Sequence, residues 1–178
     1  MILKYWMIRI KGEEIMIRYG IIIISDKGSR GERQDGCRAV IEQSLPEDIF
    51  SQSYYTIVPD ETQDIQRAIK HCSDDLALEL VLTSGGTGFS QRDITPEATL
   101  PLLERLTPGI SEAIRYMSLQ ITPKAMLSRA VSGMRGETLI INLPGSPKAV
   151  QESVEYIRGP LVHGIEIMKG TASECARK

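Results

Sequence analysis

Cysteine, histidine and aromatic residues are all scarce in this 178-residue chain, at three residues, two residues and 5% respectively. Cys37, Cys72 and Cys175 are scattered and odd in number, with no C-x-x-C pair and no Cys/His cluster. Neither a disulfide framework nor a zinc site is therefore expected, and a reducing cytoplasm is the expected compartment. His71 and His163 have no nucleophile or acid at useful spacing, and no Ser/His/Asp signature occurs, so both are expected to be structural. Long apolar runs are missing too. None is longer than "IIII" at 21–24, against roughly 20 residues for a membrane span. Nor does one sign of charge predominate: 21 Lys+Arg face 23 Asp+Glu, for a net charge of −2. No broad basic field exists, so neither nucleic acid nor an anionic membrane is an expected partner. The opening stretch "MILKYWMIRIKGEEIMIRYG" is apolar but cut by Lys4, Arg9 and Lys11 and lacks a small-residue cleavage site. It does not read as a signal peptide.

What the chain has is an ordinary globular composition, 42% apolar and 25% charged, and enough length for one well-buried core. An Ile-rich strand, "IMIRYGIIIISD", runs into the turn-rich "DKGSRGERQDG". Helical spacing follows in "CRAVIEQSL", then a strand "YYTIV". The helix "TQDIQRAIKHCSD" places Ile65, Ala68, Ile69 and Cys72 on one side, and "LALELVLT" is a third strand. "TPEATLPLLERL" reads as a helix with Thr95 as N-cap and Pro96 at its first position. A further helix is expected in "GISEAIRYMSLQ". "ETLIINLPGSPKAV" reads as strand, turn and helix, with Ser146 as N-cap, continuing through "QESVEYIRG". "PLVHGIEIMKG" is a helix or mixed segment. Met117, Met126 and Met134 are expected as core filler. The alternation of short apolar strands with helices predicts an α/β domain with a mainly parallel sheet. Its expected span is 17–170, with an N-terminal extension at 1–16 and a tail at 171–178. The extension reads as a hairpin turning at "KGEE", or else Met7 or Met16 is the start.

Ligands of such sheets bind outside the carboxyl ends of the strands. Four strand ends here run into polar or glycine-rich loops: "SDKGS" (25–29), "VPDE" (58–61), "TSGGTG" (83–88) and "NLPGSPK" (142–148). A parallel sheet would bring all four to one edge. In "TSGGTG", glycine permits positive φ and close backbone approach. Its successive N–H groups, with Ser84 and Thr87, would make an anion nest; a plain tight turn accounts for the pattern as well. Asp60 and Asp93 follow two of these loops. Together they would suit Mg²⁺, which takes a few oxygen ligands plus substrate phosphates. Singly, Asp60 reads equally as a helix cap and Asp93 as a partner of Arg92 or of a loop N–H. Lys148 lies in a first helical turn, unfavourable for a cation unless an anion is near.

"TSGGTGFSQRDITPEAT" together with "INLPGSPKAV" resembles the MogA/MoaB family of molybdenum cofactor biosynthesis proteins, which includes the gephyrin G domain. "ISDKGSRGERQDG", "VPDE", "LSRAVSGMRGETLIINLPGSP" and "VHGIE" match in the same order, so the resemblance covers about 17–170. "SLQITPKAMLSRAVSG" and "VHGI" are most similar to the MogA branch. The resemblance implies a trimer of a three-layer α/β/α sandwich. It also implies molybdopterin adenylyltransferase activity, in which Mg²⁺-ATP donates AMP to the terminal phosphate of molybdopterin and pyrophosphate leaves. Carried over, Ser84, Gly85, Gly86, Thr87 and Gly88 would hold nucleotide phosphates, and Asp60 and Asp93 would be the catalytic and metal-binding acids. Asn142, Pro144, Gly145 and Ser146 would line the pterin or nucleotide pocket, with Ser146 and Lys148 near phosphate and Ser25 and Asp26 on the neighbouring strand end. Molybdate insertion would need a separate partner protein. Two other readings stand beside this one: a non-catalytic trimeric molybdopterin-binding module, and an unrelated Mg²⁺-dependent nucleotide phosphohydrolase. The first twenty residues exceed what the family core needs, and Phe89 and Gln91 sit where no chemical demand is visible.

Overall fold

The computed structural model describes residues 16–170; the hairpin expected around "KGEE" and the tail at 171–178 lie outside them. In chain order the elements are β1 (Ile17–Ile24), α1 (Asp26–Ser29), α2 (Cys37–Ser44), β2 (Phe50–Val58), α3 (Thr62–Lys70), β3 (Leu80–Ser84), α4 (Thr95–Thr99), β4 (Arg105–Leu106), α5 (Pro108–Leu119), β5 (Ser132–Arg135), β6 (Thr138–Leu143) and α6 (Pro147–Met168).

β1 buries every residue but Arg18. Such a near-continuous apolar run marks a parallel strand covered on both faces. Successive side chains still point to opposite faces. Ile21 and Ile23 meet α2, α5 and α6 through Ile41, Ile114, Val154 and Leu161. Ile22 and Ile24 meet α3 and α4 through Ile65, Ile69 and Ala98. The result is a three-layer α/β/α sandwich. Its six-stranded sheet has the order β2-β1-β3-β6-β5-β4. The first four strands are mutually parallel, and β4 and β5 are antiparallel additions. β1 is paired on both sides, to β2 and to β3, which leaves it no free edge.

Several local expectations change. "LALELVLT" is strand only from Leu80, and "TQDIQRAIKHCSD" is α-helical only to Lys70, widening into a π-helical turn over His71–Asp75. The helix expected over 95–106 ends at Thr99, and Leu100–Leu102 tighten into a 3-10 turn around Pro101 before β4 begins. The N-cap of α4 is Ile94, not Thr95; the Thr95 hydroxyl donates instead to the Gly85 carbonyl at 2.9 Å. Met126 is not core filler but 64% exposed. The segment after Pro160, left between helix and mixed structure, continues α6 to Met168. Ser146 does cap α6, accepting from the Ala149 N–H at 3.3 Å.

Candidate active site

The parallel strands β1, β2, β3 and β6 deliver their carboxyl ends to one edge, and the four polar loops meet there. The glycine loop is the centre. Gly85 and Gly86 have φ of +109° and +62°. A Cβ on Gly85 would lie 2.3 Å from the Ile24 carbonyl oxygen, and one on Gly86 2.3 Å from the Thr95 hydroxyl. Both conformation and packing therefore require glycine. Ser84 is buried and donates to the Pro144 carbonyl at 2.8 Å, tying this loop to the one after β6. A Cβ on Gly145 would stand 3.3 Å from Gly85 Cα, so the two turns touch.

Arg129 holds the far side of the loop. Its backbone N–H donates to the Thr87 carbonyl at 2.9 Å and its Nε to the Gly88 carbonyl at 2.7 Å. Its remaining guanidinium nitrogens reach the Asp93 carbonyl and the Glu97 carboxylate. With these carbonyls turned towards Arg129, the amides of Gly86, Thr87, Gly88 and Phe89 donate to no acceptor among the described residues. Consecutive unpaired amides of this kind form an anion-binding concavity.

Two carboxylates flank the loop. Asp60 Oδ1 lies 3.1 Å from the position a Cβ would take on Gly86, and Asp93 Oδ2 lies 2.9 Å from that position on Gly88. Asp60 is buried, and its carboxylate accepts from the Asp26 N–H at 2.9 Å. Asp26 reciprocates, accepting from the Asp60 N–H at 3.1 Å. Burial raises the Asp60 carboxyl above its ordinary range, with repulsion from Asp26 and Asp93 adding to it and the Asp26 amide and Arg92 partly opposing. Asp60 caps no helix; Glu61 is the N-cap residue of α3. Asp93 accepts from the Ser90 N–H at 3.0 Å, one of the two local roles its sequence position allowed. The other, a pair with Arg92, is not formed. Arg92 instead grips Asp26 through Nε and a terminal nitrogen, each at 3.0 Å, and reaches Glu61 at 2.8 Å. Hydrogen bonding to Arg92 holds the Asp26 carboxyl below its usual range.

The remaining expected site residues divide. Pro144, Gly145, Ser146 and Lys148 sit on the turn and first helical residues beside the glycine loop, and Lys148 is exposed with no ion pair among the described residues. Ser25 accepts from the Gly28 N–H at 3.0 Å, capping α1. Asn142 is fully buried. Its Nδ2 donates to Thr83 Oγ1 at 2.9 Å and Thr99 Oγ1 at 3.0 Å, and its Oδ1 accepts from the Val131 N–H at 3.2 Å. That side chain ties β6 into the core rather than facing the loops. A groove of about 710 Å³ lies elsewhere, between β2 and α3, lined by Tyr54, Arg67 and His71 among others, and shares only Val58 with the converging loops.

Among the described residues, no three His, Cys, Asp or Glu side chains gather as a metal cluster. Asp60 Oδ1 and Asp93 Oδ1 are hard oxygen donors with no hydrogen bond among the described residues. That is the donor set Mg²⁺ accepts when water and substrate phosphates complete its shell, so the pair fits the ion.

An α/β sandwich with its loops gathered outside the strand ends belongs to the broad class whose ligand sites lie at that edge. Residues 20–163 match the family described as a probable molybdopterin binding domain. The chain belongs to this MogA/MoaB family of molybdenum cofactor biosynthesis proteins. It is 38% identical over 162 residues to the molybdopterin adenylyltransferase of Haemophilus influenzae, spanning 89% of this chain and 80% of that protein. It is 41% identical to Dictyostelium discoideum gephyrin over 168 residues, spanning 89% of this chain but 23% of gephyrin. Among solved structures, the molybdopterin biosynthesis enzyme MoaB from Thermus thermophilus superimposes with a TM-score of 0.82 at 47% identity, covering 86% of this chain and 97% of that one.

Proposed function

We propose that the protein is a molybdopterin adenylyltransferase. A phosphate oxygen of molybdopterin attacks the α-phosphorus of ATP, the bond from that phosphorus to the bridging oxygen breaks, and pyrophosphate leaves with the electron pair. The observation that carries the reading is the row of unpaired amides at 86–89 flanked by Asp60 and Asp93. The relatives named molybdopterin adenylyltransferase, 35–38% identical over most of the chain, support it.

Catalysis of this kind is mainly positioning and charge neutralisation. The amides of Gly86–Phe89 would cradle the nucleotide phosphates, with their dipoles already oriented. Arg129 would keep the competing carbonyls turned away. Asp60 and Asp93 would hold Mg²⁺, which when bound offsets the charge of the two phosphorylated substrates. Lys148, in the first turn of α6, would face the second anion. No histidine base is needed, because a phosphate monoester is largely ionised at neutral pH. A homotrimer, a cytoplasmic location and a separate molybdate-inserting partner belong to the same proposal. No helix among the described residues is long and apolar enough to cross a membrane.

The test is pyrophosphate release from Mg²⁺-ATP with and without molybdopterin, run beside Asp93→Ala. The expected result is release that requires the pterin and collapses in the variant. Release without the pterin would make this a nucleotide phosphohydrolase instead, and pterin binding without release would make it a binding module.

A further inference from the structure

Asp60 and Asp93 come from loops after different strands, yet two ligands of one ion must keep a fixed separation. The connection between them runs through one exposed arginine. Arg92 directly precedes Asp93 in the turn that holds it, where the Asp93 N–H donates to the Ser90 carbonyl at 2.9 Å and the Ser90 N–H donates to Asp93 Oδ2 at 3.0 Å. From that turn the Arg92 guanidinium crosses to Asp26 beyond β1 and Glu61 beyond β2. Asp26 is itself locked to Asp60 by the reciprocal amide–carboxylate pair at 2.9 and 3.1 Å. Three links therefore join the two acids: the Ser90–Asp93 turn, the Arg92 guanidinium, and Asp26.

We propose that Arg92 is a positioning residue that sets the distance between Asp60 and Asp93, and through it the affinity of the site for the metal–nucleotide complex. The proposal rests on the reading of those two carboxylates as metal ligands. Arginine suits the task and lysine does not. A planar fork with several donors grips Asp26 with two nitrogens and Glu61 with one of them at the same time, while an ammonium cannot span both with fixed geometry. An exposed arginine–carboxylate contact ordinarily contributes little to stability, so loss of the bridge should be felt in binding far more than in folding. Arg129 also holds the Asp93 carbonyl, but that contact ties the loop to the Gly88 and Glu97 side of the site and not to Asp60.

The test is calorimetric. Binding of a non-hydrolysable ATP analogue is measured with Mn²⁺ and, separately, with EDTA, for the wild type, Arg92→Ala, Arg92→Lys and Glu61→Gln, alongside thermal unfolding of each. The expected result is that Arg92→Ala and Arg92→Lys each lose about tenfold in affinity for the Mn²⁺ complex, keep their metal-free affinity, and unfold at the wild-type temperature. Glu61→Gln, which loosens one end of the bridge, should lose less. Equal losses with and without metal would overturn the proposal, because Arg92 would then touch the nucleotide itself. An unchanged Mn²⁺-dependent gain in Arg92→Ala would overturn it while leaving the acid pair intact. A wild type with no metal-dependent gain would overturn the reading of Asp60 and Asp93, and this proposal with it.

Discussion

Burial raises the Asp60 carboxyl above its ordinary range, and repulsion from Asp26 and Asp93 adds to it. A group whose folded pKa exceeds its unfolded value stabilises the protein below the unfolded value, and that contribution is lost as pH rises through the folded one. At neutral pH, without a cation, the ionised Asp60 is thus unfavourable to folding. Asn in its place keeps an oxygen that accepts from the Asp26 N–H and removes the charge. Asp60→Asn should therefore unfold at a higher temperature than the wild type in metal-free buffer at pH 7, with the difference vanishing towards pH 4. Its pterin-dependent pyrophosphate release should fall by about 100-fold, the scale of losing a charge-stabilising group in an active site. Calorimetric scans at both pH values and the release assay check both halves. A less stable variant with intact turnover would show that Asp60 is an ordinary structural acid. The place of Asp60 beside the glycine loop was legible from its strand end, but its burial and its lock with Asp26 were not, because both depend on how closely two loops approach.

At the level of elements, β1, β3 and β6 were readable as apolar runs and β2 only in its second half, "YYTIV", the polar "SQS" hiding its start; their shared direction put four loops on one edge. β4 and β5 were not. β4 has only two residues, both exposed, and β5 only four, one of them Gly133, too few for any period to declare itself. Arg129 was missed as a site residue for a different reason: its "LSRAV" matched the family in order, but only the tertiary fold brings its side chain to the carbonyls of Gly88 and Asp93. Asn142 shows the converse, since its motif looks like a binding loop while its side chain cross-links β3, α4 and β6. Removing it would leave the buried Thr83 hydroxyl and the half-buried Val131 amide without their partner, while Thr99 keeps its bond to the Thr95 carbonyl; buried groups left unpaired cost about 1–3 kcal/mol each when they find no new partner. We expect Asn142→Ala to lose about 2–4 kcal/mol in urea unfolding. The protein that remains folded should bind nucleotide as the wild type does. A variant of normal stability that fails to bind would return Asn142 to the site.

At the scale of the molecule, one stretch of the described chain gathers several exposed apolar side chains. Tyr116 and Leu119 at the end of α5, Ile121 just after it, and Met126 and Leu127 at the end of the 3-10 turn Pro123–Leu127 are all exposed. These five lie close together along the chain, and contiguous exposed apolar patches mark interaction surfaces. Helical spacing in "GISEAIRYMSLQ" located α5 but could not say that Tyr116 and Leu119 would stay exposed among the described residues. The homotrimer was accordingly implied by family resemblance and not by the residues. If copies of the chain bury this band, assembly bears on the candidate site, because the chain passes directly from Leu127 through Ser128 to Arg129, which holds the glycine loop. Light scattering at micromolar concentration should then give three times the monomer mass. Met126→Glu combined with Ile121→Glu should shift it towards the monomer, since a buried unpaired carboxylate is strongly unfavourable. The same double variant should lose nucleotide affinity in step with its dissociation, recovering at high protein concentration. A wild type that runs as a monomer would remove the trimer. A variant monomer with undiminished affinity would leave the trimer standing and show that Arg129 keeps its place without it.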